Sequence, residues 1–181
     1  MESILGICGG IGHGKDTAAD FLVAEAGYRK LSLAYPLKVA VRDMFGLEDR
    51  HVFGTQADKA EVIDHLTGAW TGRALLELMG TDVCRRVDPD IWVNKMFDEI
   101  RNTPGHIVIP DVRFQNECNL IQQMGGQVIK VTRRGHEPTG TEHASGQWVS
   151  KADNKVDRVI DAGSVAELQV KVAAFCGIKH P

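Results

Sequence analysis

Cysteine is scarce and scattered: Cys8, Cys84, Cys118 and Cys176 are the four that the 181 residues hold, and no two stand at CxxC spacing. That argues against a zinc site. Cys8 and Cys118 sit in apolar patterns and read as buried free thiols, the usage expected of a reducing cytoplasm. Basic residues are not in excess either. Lys and Arg number 21 against 24 Asp and Glu, for a net charge of −3 and an isoelectric point near 6.2. A sequence-independent grip on nucleic acid needs a strong basic balance, so that function class is set aside, while small anionic substrates need only local clusters. No apolar run comes close to the roughly 20 residues of a membrane span, and Met1 to Leu5 carries no basic leader. The expectation is a cytoplasmic protein with no membrane partner. No internal repeat or low-complexity segment is visible. What remains, 43% hydrophobic and 25% charged residues, is ordinary globular composition, and the length suits one domain with a modest insertion.

Apolar periodicity gives alternating strands and helices. Ser3 to Cys8 reads as a buried strand, Asp16 to Ala26 as a helix stopped by Gly27, and Tyr28 to Ala34 as a second strand. A helix from Leu37 to Phe45 follows Pro36. Residues 46–72 are polar and glycine-bearing and read as an insertion with short helical pieces. Thr71 to Arg86 and Pro89 to about Asn102 are helical. His106 to Pro110 is a buried strand, Asn116 to Met124 a helix, Gln127 to Thr132 a strand, 133–150 a polar loop, Val156 to Ile160 a last strand, and Ser164 caps a final helix with Glu167 three residues on. Five strands alternating with helices predict an α/β fold: a parallel five-stranded sheet with helices on both faces, three layers in all.

One segment carries chemistry. Gly9-Gly10-Ile11-Gly12-His13-Gly14-Lys15-Asp16-Thr17 fits GxxxxGK between a predicted strand and a predicted helix, the context of a P-loop. Glycines let the chain wrap so that backbone N–H groups point inward, the helix N-terminus adds partial positive charge, and Lys15 reaches the β- and γ-phosphates. An ordinary glycine-rich turn would not explain a lysine there. Gly10, Gly12, His13, Gly14, Lys15, Asp16 and Thr17 are therefore candidate ATP-binding residues. Asp16 stands where Ser or Thr usually meets Mg²⁺; it either faces the metal or is a carboxylate favoured by the helix dipole. Thr17 offers its hydroxyl to phosphate or metal.

Asp111, ending an apolar strand, fits the acid that sits near Mg²⁺ in P-loop enzymes. Arg113 could fork onto a phosphate and Glu117 could accept from a base or sugar; from spacing alone a surface ion pair at i,i+4 is the better reading of the two. Arg73 is a candidate acceptor-phosphate ligand or a solvated helix charge. Arg133 and Arg134 enter the polar loop, either as closing lid arginines or as solvated charges. None of the seven histidines pairs for a metal or a triad; His13 fills the P-loop, and His143 has no assignable role. Trp92 reads as core more readily than ligand.

Four stretches together resemble the bacteriophage deoxynucleoside monophosphate kinases: Gly14-Lys15-Asp16-Thr17-Ala18-Ala19-Asp20; Leu33-Ala34-Tyr35-Pro36-Leu37-Lys38; Leu78-Met79-Gly80-Thr81-Asp82 with Trp92-Val93; and Ile109-Pro110-Asp111-Val112-Arg113 with Glu117. They occur in the family's order, and the GKDT form accounts for Asp16. The resemblance implies a nucleoside monophosphate kinase fold over residues 1–181, with 46–72 as acceptor-binding insertion and 133–150 as lid. It implies ATP and Mg²⁺ as cofactors and a deoxynucleoside monophosphate as acceptor. Lys15, Asp16 and Arg113 become catalytic, Asp16, Thr17 and Asp111 metal-facing, Arg133 ATP-binding, and Lys38, Arg73, Gly80, Thr81, Trp92, Asp111, Arg113 and Glu117 acceptor-binding. A homodimer is compatible with it. His13 departs from the small residue usual before the last P-loop glycine, Gly146 stands where an acidic residue often follows the lid's His-x-Ser, and the stretch before Arg73 is short. The rivals are another small-molecule P-loop kinase, such as one acting on dephospho-coenzyme A, and a nucleotide-hydrolysing switch. Asn154-Lys155-Val156-Asp157 matches the base-reading string of such switches, but lies before the last strand and has no companion motif.

Overall fold

The computed structural model describes residues 3–136 and 144–179. The chain divides into two compact units, Met1–Leu33 with Val93–Pro181, and Ala34–Trp92. The second unit is wider than the insertion expected at 46–72.

The first unit holds a five-stranded sheet in the order β2-β3-β1-β4-β5, built from β1 (Ile4–Cys8), β2 (Arg29–Lys30), β3 (Ile107–Ile109), β4 (Gln127–Arg133) and β5 (Arg158–Ala162). Every pairing is parallel, with Leu5 of β1 opposite Val108 of β3 and Gln127 of β4. Side chains alternate across a strand. Leu5, Ile7, Val108, Ile129 and Val131 therefore share one face, where they pack on Ala18, Ala19 and Leu22 of α1 (Lys15–Ala26) and on Leu168, Val172 and Ala173 of α9 (Val165–Cys176). On the opposite face Gly6 lies against Ile121 of α7 (Gln115–Gln123), Val112 and Val128. The expected three layers are present in this unit.

Three local readings change. Strand β2 is two residues long rather than running to Ala34, because Ser32 and Leu33 turn aside to bond Asp111. Strand β5 starts at Arg158, two residues late, because the Asp157 carboxylate accepts the Val128 N–H (2.7 Å) before pairing begins. That also disposes of Asp157 as a base reader. Part of the polar loop is helical: α8 (Ala144–Ser150) buries Val149, and its Ser150 carbonyl accepts from Lys130, a buried lysine paired with Asp153 at 2.5 Å. Trp148 and Val149, adjacent after Gly146 and Gln147, left no readable period.

The final helix starts at its expected cap, with the Glu167 carboxylate reaching one residue further back than a capping box requires. The Ser164 hydroxyl accepts the Glu167 N–H (3.2 Å), and the Glu167 carboxylate accepts the Gly163 N–H (2.8 Å). Ser164→Ala should cost about 1 kcal/mol and lower the melting temperature by about 2–4 °C, read by circular dichroism.

The second unit is helical: α2 (Tyr35–Phe45), α3 (Asp49–Phe53), α4 (Gly72–Glu77) and α5 (Cys84–Val87), with a π-helical segment, Leu78–Val83, between the last two. Pro36 opens α2, Gly46 ends it, and Leu37, Val41, Val52, Ile63 and Leu75 are buried. The Thr71 hydroxyl caps α4 by accepting the Ala74 N–H (3.1 Å). The helix expected from Thr71 to Arg86 is present, but wider at its centre, where the Trp92 indole N–H donates to the Gly80 carbonyl (3.0 Å) and Leu37 packs on Gly80. Helix α6 spans Ile91–Arg101. No described helix is long and apolar enough to cross a membrane.

Candidate active site

In an open parallel sheet, ligands bind beyond the carboxyl ends of the strands, and in the first unit those ends carry the titratable groups that the motifs predicted. Strand β1 stops at Cys8; the loop from Gly9 to Gly14 follows, and α1 begins at Lys15. Gly9 and Gly14 each need to be glycine. A Cβ at Gly9 would sit 2.4 Å from the Val131 carbonyl oxygen, and Gly14, the N-cap, has φ 92°. The first N–H groups of α1 have no partner within the helix, so the turn presents donors and partial positive charge together.

Lys15 is nearly buried, and its ammonium donates to the Gly10 carbonyl at 2.7 Å, spanning the loop. Its pKa is pulled down to about 8, first by burial and then by the charge of Arg113, while Asp16, Cys8 and Asp111 pull the other way. The loop after β1 and the residues after β3 thus share one electrostatic neighbourhood.

Asp111 is fixed by two donors: the Ser32 hydroxyl to Oδ2 (2.7 Å) and the Leu33 N–H to Oδ1 (3.0 Å). Glu117 is buried, and its Oε2 accepts the backbone N–H groups of Arg113 (2.6 Å) and Phe114 (3.1 Å) at the start of α7. Its carboxylate shapes the turn that carries Arg113. Asp16 is exposed and paired with Lys30 (3.0 Å), which also holds Asp20 (2.9 Å). Thr17 lies in the first turn of α1, half-buried. His13 is buried, and burial pushes its pKa down. Burial also pushes the Cys8 thiol up to about 12 and Cys118 to about 11, in keeping with inert core thiols.

Arg133 ends β4 and is exposed. Arg134, by contrast, is tied to Asp161 (3.0 Å) and Glu167 (2.6 Å) in a surface ion network. Residues 137–143 of the expected lid, with His143, lie outside the described residues.

Lys38, Arg73, Gly80, Thr81 and Trp92 belong to the second unit. Lys38 places its ammonium 5.6 Å from the Phe53 ring centroid, and Arg73 bonds the Gln56 side-chain oxygen. Gly80 and Trp92 are buried against each other through the indole bond, so Trp92 shapes the backbone there as a core residue. Thr81 lines an open cavity of about 480 Å³ with Asp82, Arg85 and Arg86. The sequence pointed to neither Ser32 nor Lys30. The only available signal was negative: Asp16 and Asp111, placed at a phosphate site, each needed a partner.

The model of the deoxynucleotide monophosphate kinase family matches residues 46–172. That range omits the P-loop, which therefore stands on its own geometry. A putative deoxynucleotide monophosphate kinase of Acanthamoeba polyphaga mimivirus is 37% identical over 145 residues, covering 73% of this chain and 75% of that protein. The deoxynucleotide monophosphate kinase of Enterobacteria phage T4 is 30% identical over 119 residues, covering 62% of this chain and 48% of its own length, so the match spans about half of the phage protein. Among solved structures, TT1252 from Thermus thermophilus aligns over 99% of both chains with a TM-score of 0.53 and 18% identity. Shikimate kinase from Aquifex aeolicus aligns over 96% of both with a TM-score of 0.51 and 10% identity. At such identities these two attest the fold.

Proposed function

The chain belongs to the deoxynucleotide monophosphate kinase family, and on that premise we propose that it transfers the γ-phosphoryl group of ATP to a deoxynucleoside monophosphate, giving ADP and the deoxynucleoside diphosphate. The observation that carries the transfer chemistry is the Gly9–Gly14 turn opening into α1 with the near-buried Lys15 ammonium across it, beside Asp111 and Arg113. The nature of the acceptor rests on the family.

Phosphoryl transfer asks for alignment and charge neutralisation rather than covalent catalysis. Loop N–H groups and Lys15 hold the β- and γ-phosphates. Arg113, on a turn fixed by Glu117, meets the charge that spreads over the transferring group. Arg133 contributes from the end of β4. The acceptor's phosphate oxygen is already an anion at neutral pH, so no side chain needs to remove a proton. Lys38, Arg73, Gly80, Thr81 and Trp92 serve acceptor binding, Arg73 by its guanidinium and Gly80 and Trp92 by shaping the backbone.

The described oxygen donors suit Mg²⁺. No three His, Cys, Asp or Glu side chains among the described residues converge on one point, and Mg²⁺ in such sites is held by one or two carboxylates together with substrate phosphates. Asp111, with Thr17 and Asp16, would hold it. When bound, the ion neutralises the charge of the β- and γ-phosphates.

The test is a coupled ADP-release assay with ATP, screening dAMP, dGMP, dCMP, dTMP and their ribose counterparts singly. ADP release should require one or more of the deoxynucleotides. ATP binding without release on any of them would remove the nucleotide acceptor and leave the P-loop assignment in place.

A further inference from the structure

Two imidazoles meet at the phosphate loop from opposite directions. His13 belongs to the loop, and its Nδ1 lies 3.3 Å from the carbonyl oxygen of Val131 in β4. His136 lies three residues beyond the end of β4, and its Nε2 is 3.2 Å from the carbonyl oxygen of Ile11 in the loop. The rings touch edge to face, with centroids 5.5 Å apart and planes at 70°. A carbonyl oxygen only accepts, so His13 donates through Nδ1 and His136 through Nε2, and each bond fixes its ring's tautomer. Loop and strand are thus cross-linked twice, once from each side. The His136 backbone N–H donates to the Arg133 carbonyl (3.1 Å), which folds the chain back so that the ring can reach the loop.

The contact falls where it controls the loop's donors. Gly12 has φ 79°, and a Cβ added there would stand 2.7 Å from His136 Nε2, so the ring rests directly on the Ile11–Gly12 peptide. A trans peptide is planar, with its C=O and N–H opposed. Fixing the Ile11 carbonyl on His136 therefore turns the Gly12 N–H away from it. Without that anchor the glycine-flanked peptide is free to rotate, since glycine accepts either sign of φ.

We propose that His136 is a positioning residue for the donor nucleotide: its bond to the Ile11 carbonyl holds the phosphate loop in its binding shape before ATP arrives. The proposal rests on the reading of that loop as the ATP site. Preorganisation of this kind appears as affinity, because the ordering cost is met before binding.

The experiment titrates wild type, His136→Ala and His136→Gln with a fluorescent ATP analogue, follows steady-state kinetics for ATP and for the acceptor, and records melting temperatures. His136→Ala should weaken ATP binding about fivefold, the worth of one hydrogen bond, raise KM for ATP in proportion, and leave KM for the acceptor unchanged. His136→Gln, whose amide can donate to the same carbonyl, should return ATP affinity to within about twofold of wild type. Unchanged ATP affinity in His136→Ala overturns the proposal. So does a loss that glutamine does not rescue, or one that tracks a fall in melting temperature in both variants, because either marks a packing role. If wild type binds ATP but phosphorylates no deoxynucleotide, the acceptor reading falls and the His136 result still decides this one.

Discussion

Lys15→Met should leave a folded protein that turns over about 10²- to 10³-fold more slowly, the usual cost of removing one preorganised charge donor from a transition state. The ammonium spans the loop to the Gly10 carbonyl and lies within the fields of Arg113 and Asp111. Methionine keeps most of the volume and removes the charge. Retention of more than about a tenth of wild-type turnover would place the phosphates elsewhere. The same burial sets two pH effects. With a pKa of about 8, Lys15 loses its proton as pH rises through that value. ATP affinity should therefore fall above about pH 8 in wild type, and binding there should take up a proton, measurable by calorimetry in buffers of different ionisation enthalpy. In Lys15→Met this proton uptake should vanish. Stability moves the other way. The folded pKa lies below the value of 10.5 for the unfolded chain, so between about pH 8 and 10.5 the unfolded state binds more protons and wild-type stability rises with pH. Below pH 8 the buried charge is a burden on the fold. Lys15→Met should consequently be more stable than wild type at pH 7, on the order of 2 kcal/mol, while nearly inactive.

What could be read from the sequence was what a local rule enforces. Gly9 and Gly14 were legible because close approach to Val131 and a left-handed φ exclude other residues. Lys15 was legible as the cation between that turn and a helix, and its ammonium closes across the loop onto the Gly10 carbonyl. Sheet and layers followed from apolar runs such as Ile107 to Ile109. The unread part was set by pairing across long stretches of chain. Ser32 reaches Asp111 because β2 lies beside β3, a neighbour relation that no local pattern encodes. Lys30 reaches Asp16 from that same strand. His136 reaches Ile11 only once β4 lies beside β1. Trp92 shows the converse. Its apolar character correctly suggested core, yet its function in that core is polar, an indole N–H on the Gly80 carbonyl where the helix widens.

Glu117, a candidate ligand contact, is committed to the fold as well, and Glu117→Ala separates the two roles. The side chain is 3% exposed, and one carboxylate oxygen serves the N–H groups of Arg113 and Phe114. Alanine would strand both donors at the start of α7. Hydrogen bonds to a charged acceptor are worth about 1.5–3 kcal/mol each, so a loss of about 3 kcal/mol is expected, a fall of about 6–12 °C in melting temperature for a chain of this size. Turnover should drop as well, because the turn that carries Arg113 loses its anchor. Glu117→Gln keeps an oxygen acceptor without the charge and should lie between the two in both measurements. If Glu117 served only as a contact for the acceptor's base or sugar, the outcome would differ in kind: KM for the acceptor would rise while the melting temperature held. The short 2.6 Å bond to Arg113, at the end of an apolar strand and ahead of a helix that needs a cap, makes the structural cost the larger expectation. The catalytic loss is then a consequence of a misplaced arginine.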